Sequence, residues 1–280
     1  MTTAPAHQRP QTEDSTSTTI LELAAAWDTL HKAQLATIRA LRQHRHLRTV
    51  TATRRVRTTL ADFLQAVAVF DRTARAVAER WTMQDLPQIY RDGARTALAR
   101  TLRATGIPFS RPFAWTDRHQ AAITALAAQY YTDLIARIQQ TVRRAQAFVR
   151  AARDQTRTPE GVQRQQLLAD HGLDTVVYRD QTRHPASSWA RAALGAQAVT
   201  TRNTAALTYG RHDLDALWFE CIDGSECGFT QHGDLDKANG TIRSAEDAEA
   251  YPTAHFGCVR SWIPRPDLNN APGLESGADL

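Results

Sequence analysis

The helical character of this chain is clearest in one stretch, residues 56–81, which reads VRTTLADFLQAVAVFDRTARAVAERW. Its apolar residues recur in alternating steps of four and three, the spacing of a helix that packs along one seam against other helices. The seam comprises Val56, Leu60, Phe63, Val67, Phe70, Ala74, Val77 and Trp81. Such a seam serves either a helical hairpin within one chain or an intermolecular coiled coil, and the hairpin is the commoner use. The stretch therefore predicts a mostly α-helical protein.

Further helical patterns flank the seam. A capping box at Thr19 and Glu22 predicts the start of a first helix, and an apolar stripe from Ile123 to Val142 predicts a long later helix. We therefore expect an elongated helical N-terminal body over residues 17–157, preceded by a polar, unstructured leader over residues 1–16.

The charge of the chain is distributed unevenly. Residues 32–157 contain 23 Lys and Arg against 8 Asp and Glu, a balance of +15, whereas residues 158–280 contain 10 against 17, a balance of −7. A basic helical surface attracts anionic partners, so packaged double-stranded DNA or an acidic protein surface is an expected partner of the helical body. Arg outnumbers Lys 32 to 2, a ratio that the codon bias of a GC-rich genome also produces, so charge alone does not decide for nucleic acid.

The apolar period changes in the last part of the chain. Leu214–Phe219 predicts a strand, and Gly240–Arg243 predicts its partner strand. We expect a small C-terminal α+β module over residues 158–266, followed by an unstructured tail over residues 267–280.

All three cysteines lie between Cys221 and Cys258, together with two of the ten histidines, His232 and His255. Thiolate and imidazole are ligands that zinc prefers, usually four in a tetrahedron. Cys221 and Cys227 form one predicted ligand pair and His255 and Cys258 the second, with His232 as a fifth candidate. An odd number of clustered cysteines favours metal over a disulfide framework, although single buried cysteines are also common in cores. We therefore predict a structural zinc ion that stabilises the module.

An ordered set of residues between positions 175 and 266 forms a wider pattern. It comprises Tyr178, Asp180, Arg183, Ser188, Trp189, Ala190, Asn203, Cys221, Cys227, Gly240, His255, Cys258, Arg260 and Pro264. Together with the runs Asp236–Gly240 and Trp262–Pro266, this order resembles the phage minor capsid proteins of the Mu F-like head morphogenesis type, in the branch found in actinobacterial phages. The helical half is similar to that family only in general character.

The resemblance implies a structural protein without enzymatic activity. Proteins of this family lie inside the procapsid on or near the portal, in few copies, and take part in head assembly and in genome packaging or ejection. It therefore implies a location in the virion interior, and in the host cytoplasm during assembly, with the portal protein and the inner capsid or scaffold as partners.

The chain departs from the family pattern close to the predicted ligands. Family members close with His-Pro-Asn-Cys-Arg, whereas this chain has His255-Phe256-Gly257-Cys258-Val259-Arg260. The family's Arg-Thr pair before Asn203 is replaced by Gly195-Ala196. Because the ligand types are retained while their neighbours differ, the pattern indicates a structural site.

A metal-dependent nuclease is the alternative function. His232, Asn239 and His255 have the order of an HNH nuclease, in which one His activates water and a bound metal stabilises the leaving oxygen. A DNA-binding zinc protein is a further alternative. The sequence contains no H-E-x-x-H helix, no deaminase signature and no phosphate-binding glycine loop, and no stretch is apolar enough to predict a membrane span or signal peptide.

Overall fold

The computed structural model describes residues 11–43, 50–108, 112–178 and 180–279. Its helices are α1 (Gln11–Gln43), α2 (Val50–Arg80), α3 (Leu86–Thr105), α4 (Asp117–Gln155), α5 (Arg164–His171), α6 (Ala186–Asp213) and α7 (Ala245–Ala250). Its strands are β1 (Thr175–Val177), β2 (Arg183–Pro185), β3 (Trp218–Ile222), β4 (Ile242–Ser244) and β5 (Ser261–Pro264). The protein is mostly helical with a small strand-containing region near its C-terminus, as predicted. None of the described helices is long and apolar enough to cross a membrane.

The predicted seam of α2 is buried from Leu60 to Trp81. It lies mainly in a compact unit formed by residues 17–80 and 131–191. In that unit the ring centroids of Phe63 and Phe148 of α4 are 5.0 Å apart, and those of Phe70 and Trp27 of α1 are 4.7 Å apart. Each buried ring contributes about 2–3 kcal/mol to stability. The seam therefore packs within the chain, as in a helical hairpin.

The first helix begins earlier than predicted. α1 includes residues 11–16 of the predicted leader, while residues 1–10 lie outside the described residues. Thr19 and Glu22 do not cap this helix, because both lie well inside it. Instead, both accept hydrogen bonds from the Arg80 guanidinium of α2. Charge-assisted hydrogen bonds are about twice as strong as neutral ones, so a contact with another helix replaces the predicted local cap.

The second compact unit contains the described residues 11–16, 81–130 and 192–279, and thus α3, most of α6 and the C-terminal strands. A π-helical turn, Trp81–Asp85, joins α2 directly to α3. The indole of Trp81 is fully buried, and its Nε1 donates a hydrogen bond of 2.8 Å to Gln197 Oε1 of α6. The turn therefore anchors the start of α3 against α6.

A buried polar chain joins α3, α4 and α6 in this unit. Tyr90 Oη lies 3.0 Å from His119 Nδ1, and His119 Nε2 lies 3.1 Å from a carboxylate oxygen of Asp213. Because the carboxylate can only accept, the imidazole carries its proton on Nε2 and accepts from the phenol. Burial raises the pKa of Tyr90 to about 12, so the fold favours the neutral phenol.

The C-terminal sheet has the antiparallel order β4-β3-β5. The pair β3–β4 confirms the predicted pair of strands, whereas β5, which pairs Trp262 with Cys221, was not predicted. The prediction of an unstructured tail is wrong for its described residues. Ile242 N donates to Ala278 O at 2.8 Å, and Gly277 N donates to Ile242 O at 2.7 Å. The tail therefore covers the outer edge of β4, whose backbone groups need partners.

Candidate metal centre

The first loop of the candidate site, residues 223–241, connects β3 to β4 and folds back on itself. Ala238 N donates to Cys227 O at 3.1 Å, which fixes the backbone of the cysteine against the returning chain. A Cβ at Gly228 would lie 2.2 Å from Asp234 Cβ, so only glycine fits beside Cys227. The sequence thus holds this thiol in a tight turn directly after the sheet.

The second loop, residues 251–260, leads from α7 to β5 and carries His255 and Cys258. Cys258 N donates to His255 O at 3.2 Å, which places both side chains on one turn. His255 Nδ1 lies 3.0 Å from Phe256 O. Because a carbonyl can only accept, Nδ1 carries the proton, and Nε2 keeps its lone pair for a ligand bond.

The two loops bring Cys227, His232 and His255 together. Cys227 Sγ lies 3.4 Å from His255 Nε2, and the ring centroids of the two histidines are 4.9 Å apart. One donor atom from each of the three residues lies within 4.8 Å of the others. Ligands of a tetrahedral zinc ion are roughly 3.3–3.8 Å from one another, given metal–ligand bonds of about 2.0–2.3 Å. The group can therefore hold a metal ion, and its donor atoms suit zinc.

Cys221, predicted as a ligand, lies in the hydrophobic core instead. The two-residue period of β3 directs its side chain inward with Phe219, and both belong to one buried cluster with Trp262. Burial raises the pKa of the Cys221 thiol to about 12. Its sulfur is not among the donor atoms of the group of three. The predicted pair of Cys221 and Cys227 is therefore not formed.

Asp223 contacts the two remaining thiols. The sulfur of the buried Cys258 lies 3.6 Å from both Asp223 oxygens. Burial and then the charge of Asp223 raise the pKa of the Cys227 thiol. Cys258 therefore shares a carboxylate neighbour with Cys227, although its sulfur is not among the donor atoms that lie within 4.8 Å of one another.

Arg260 connects the two loops through hydrogen bonds, a role that was not predicted from the sequence. Its Nε donates to Asp223 at 2.8 Å, and both side chains of this ion pair are fully buried. Its Nη1 donates to Phe229 O and Tyr251 O, and its Nη2 to Gly228 O, each at 2.9 Å. One guanidinium thus holds three carbonyls of the two loops in fixed positions. A signal was present in the sequence, because Arg260 lies midway between the inward-facing Cys258 and Trp262.

The residues of the nuclease-like order make different contacts in the structure. His232 and His255 belong to the group that could hold a metal ion. The Asn239 side-chain oxygen accepts a hydrogen bond of 2.9 Å from the backbone N–H of Asp223. Asn239 therefore stabilises the first loop, next to the end of β3.

Comparison with known proteins finds no relative: no protein-family model, no curated protein and no solved structure matches the chain.

Proposed function

We propose that the protein is a structural, non-enzymatic component of a phage head, and that one zinc ion holds its C-terminal module together. The observation that carries the zinc proposal is the convergence of Cys227, His232 and His255 from two separate loops. Zinc binding to such ligands releases about 10–16 kcal/mol, which is as large as the whole stability of a typical domain. An ion at this position would fix two loops that contain no helix or strand of their own.

Cys258 is the proposed fourth ligand. It follows His255 by three residues on the same turn, and its sulfur contacts Asp223, which also interacts with Cys227. Two cysteines and two histidines from the protein fill a tetrahedron, and a site with no open position is structural. The buried Arg260–Asp223 pair supports this interpretation, because it supplies a fixed frame around the ligands.

Metal analysis of purified variants tests the ligand set. The wild-type chain should contain about one zinc per molecule, and Cys227→Ala and Cys258→Ala should lose it. Cys221→Ala is the matched control, because this cysteine lies in the core. It should keep its zinc and lose about 1–2 kcal/mol of stability through the small cavity that it creates. Zinc loss in Cys221→Ala equal to that in Cys227→Ala would overturn the ligand assignment.

The phage-head proposal rests on the sequence pattern over residues 175–266 together with contacts between its members. Asn203 of α6 donates through Nδ2 to Pro252 O at 2.8 Å and to Arg260 O at 2.9 Å, so two pattern residues far apart in the sequence meet at the second loop. Such contacts explain why a structural module needs these residue types at these positions.

The expected partners are the portal protein and the inner capsid or scaffold, with a location in the virion interior. Co-expression with the portal protein of the same genome should yield a complex that survives size-exclusion chromatography. Peptides of this chain should also be found in purified mature heads by mass spectrometry. If purified heads contain the portal protein at full occupancy but no peptides of this chain, the proposal is contradicted.

Packaged double-stranded DNA is a second proposed partner, and the antiparallel arrangement of α2 and α4 supports it. Phe63 contacts Phe148, and Glu79 accepts a hydrogen bond from Tyr131, so the start of α2 lies beside the end of α4. This end carries exposed arginines from both helices, namely Arg54, Arg55, Arg57, Arg150 and Arg153. A row of exposed guanidinium groups on adjacent helices suits the phosphates of a duplex.

Salt dependence tests the DNA proposal. Binding to duplex DNA should weaken steeply between about 50 and 200 mM salt, because each phosphate contact releases counterions. Replacing Arg54 and Arg55 by Gln should reduce the slope of log K against log salt by about 2. Arg211→Gln is the control, since Arg211 is already paired with Glu246 and Glu249. If the double variant has the same slope of log K against log salt as the wild type, these arginines do not contact the DNA and the proposed surface is wrong.

The nuclease alternative has a direct test of its own. Supercoiled plasmid incubated with the protein and Mg²⁺, Mn²⁺ or Zn²⁺ should remain intact if the site is structural. Nicking that disappears in His232→Ala would instead establish a catalytic metal site.

A further inference from the structure

A cavity of about 310 Å³ lies between α3, α6 and residues 259–262. It belongs to the same compact unit as the metal centre, but none of the three residues of the metal-binding group lines it. Small residues make room for it, since Gly93 and Ala97 of α3 share its lining with Ala206 of α6. A Cβ at Gly93 would lie 2.8 Å from the carbonyl oxygen of Arg202, so the two helices approach too closely there for a larger residue.

The polar part of the cavity wall is mainly cationic. Arg100, Arg202 and Arg260 line it, together with the single carboxylate of Asp92, and Arg260 is already paired with Asp223. Asp92 lies two helical turns before Arg100 on α3, about 12 Å away along the axis. Arg100 Nη1 donates to Ser261 Oγ at 2.8 Å, and within the described residues no carboxylate pairs with Arg100. The wall near Arg100 therefore carries positive charge that an anion can neutralise.

The strand that forms the third wall is also anchored to the metal centre. Cys258, Arg260 and Trp262 are buried, whereas Val259 is 70% exposed and Ser261 is half-buried. Because side chains alternate along an extended strand, Ser261 faces α3 while Arg260 faces the first loop. The network of Arg260 therefore fixes the position of the Ser261 hydroxyl in the cavity wall.

We propose that this cavity binds a phosphate group through Arg100 and Arg202. A guanidinium presents parallel N–H donors that match two oxygens of a phosphate. Ser261 accepts from Arg100 and can donate its own hydrogen to a further phosphate oxygen. The chemistry therefore favours inorganic phosphate or a phosphate monoester. This inference is independent of the zinc and phage-head proposals.

Calorimetric titration of the full-length protein, as purified, tests the proposal. The two probes are inorganic phosphate and adenosine monophosphate, each compared with chloride at the same ionic strength. We expect saturable binding at one site. Arg100→Gln should weaken it about tenfold or more, because a charge-assisted hydrogen bond is lost. Arg103→Gln is the matched control, since Arg103 lies one turn further on α3, outside the cavity lining, and should change the affinity less than about twofold.

A second variant protects the test against misfolding. Ser261→Ala keeps both arginines, should keep the far-ultraviolet circular dichroism of the wild type, and should weaken phosphate binding several-fold.

The two probes distinguish the source of the phosphate. Tighter binding of adenosine monophosphate than of inorganic phosphate would identify a phosphate carried by a larger molecule, and equal binding would identify free phosphate; both results support the site. Absence of saturable binding above the chloride control, or equal losses in Arg100→Gln and Arg103→Gln, would overturn it. Zinc content is measured on the same samples, so that a loss of phosphate binding can be distinguished from a loss of zinc.

Discussion

Replacing Arg260 by methionine removes the guanidinium that joins the two loops of the metal centre but keeps an apolar stem of similar length. The buried Asp223 carboxylate then keeps a hydrogen bond from Gly224 N at 2.8 Å but loses its counter-charge. Breaking one side of a buried ion pair costs about 3–5 kcal/mol. The three loop carbonyls that lose their donor add about 1 kcal/mol each. We expect the free energy of unfolding to fall by about 6–8 kcal/mol, a large part of the stability of a domain.

Equilibrium urea unfolding in excess zinc measures this loss. The matched control is Arg211→Met, whose ion pairs with Glu246 and Glu249 are partly exposed and should contribute no more than about 1 kcal/mol. Adding Asp223→Asn to Arg260→Met should recover part of the loss, because the unpaired buried charge is removed. A loss in Arg260→Met as small as that in Arg211→Met would refute the reasoning.

Three further predictions concern individual side chains of the same unit. The pKa of Tyr90 is about 12 in the fold and about 10 when unfolded, so the protein should lose up to about 3 kcal/mol of stability as the pH rises from 10 to 12. In pH-dependent denaturation, Tyr90→Phe should remove this loss. Ser244 Oγ accepts from Asp247 N at 3.2 Å at the start of α7, so Ser244→Ala should cost about 1 kcal/mol in urea unfolding. Gly228→Ala should lower zinc occupancy in metal analysis, because its methyl group would overlap Asp234; full occupancy would contradict the tight turn.

The helical part of the fold could be predicted because its determinants are local. The alternation of steps of four and three along α2 reports which face is buried, and the structure buries that face from Leu60 to Trp81. The start of α1 could not be predicted in this way. Thr19 and Glu22 have the spacing of a capping box, but they bind Arg80, which lies far away in the sequence and near only in the fold.

The strands and the tail depend on distant partners in the same manner. β5 pairs with β3 across about forty residues, and the C-terminal tail pairs with β4 over a similar separation. Short segments of this kind carry a weak pattern of their own. Their structure depends on an edge that another part of the chain presents.

The candidate metal centre was predicted from its residue types, but Cys221, one of the predicted ligands, lies in the core. Spacing alone does not distinguish a ligand cysteine from a core cysteine, and Cys221 and Cys227 differ chiefly in what surrounds them. Cys221 shares the inward face of a strand with Phe219, which is a signal for burial, whereas Cys227 lies beside the glycines of a turn. His232, considered only a fifth candidate on grounds of coordination number, belongs to the group that the structure assembles.

Hydrogen exchange with and without a strong zinc chelator tests the central claim most directly, because it reports which part of the chain depends on the metal. We predict that chelation removes the protection of amides in the two loops, such as those of Phe229, Ala238 and Cys258, whose backbone hydrogen bonds hold the ligands in place. Amides in the middle of α2 should keep their protection. Loop amides that exchange at the same rate before and after chelation would contradict a zinc-stabilised module.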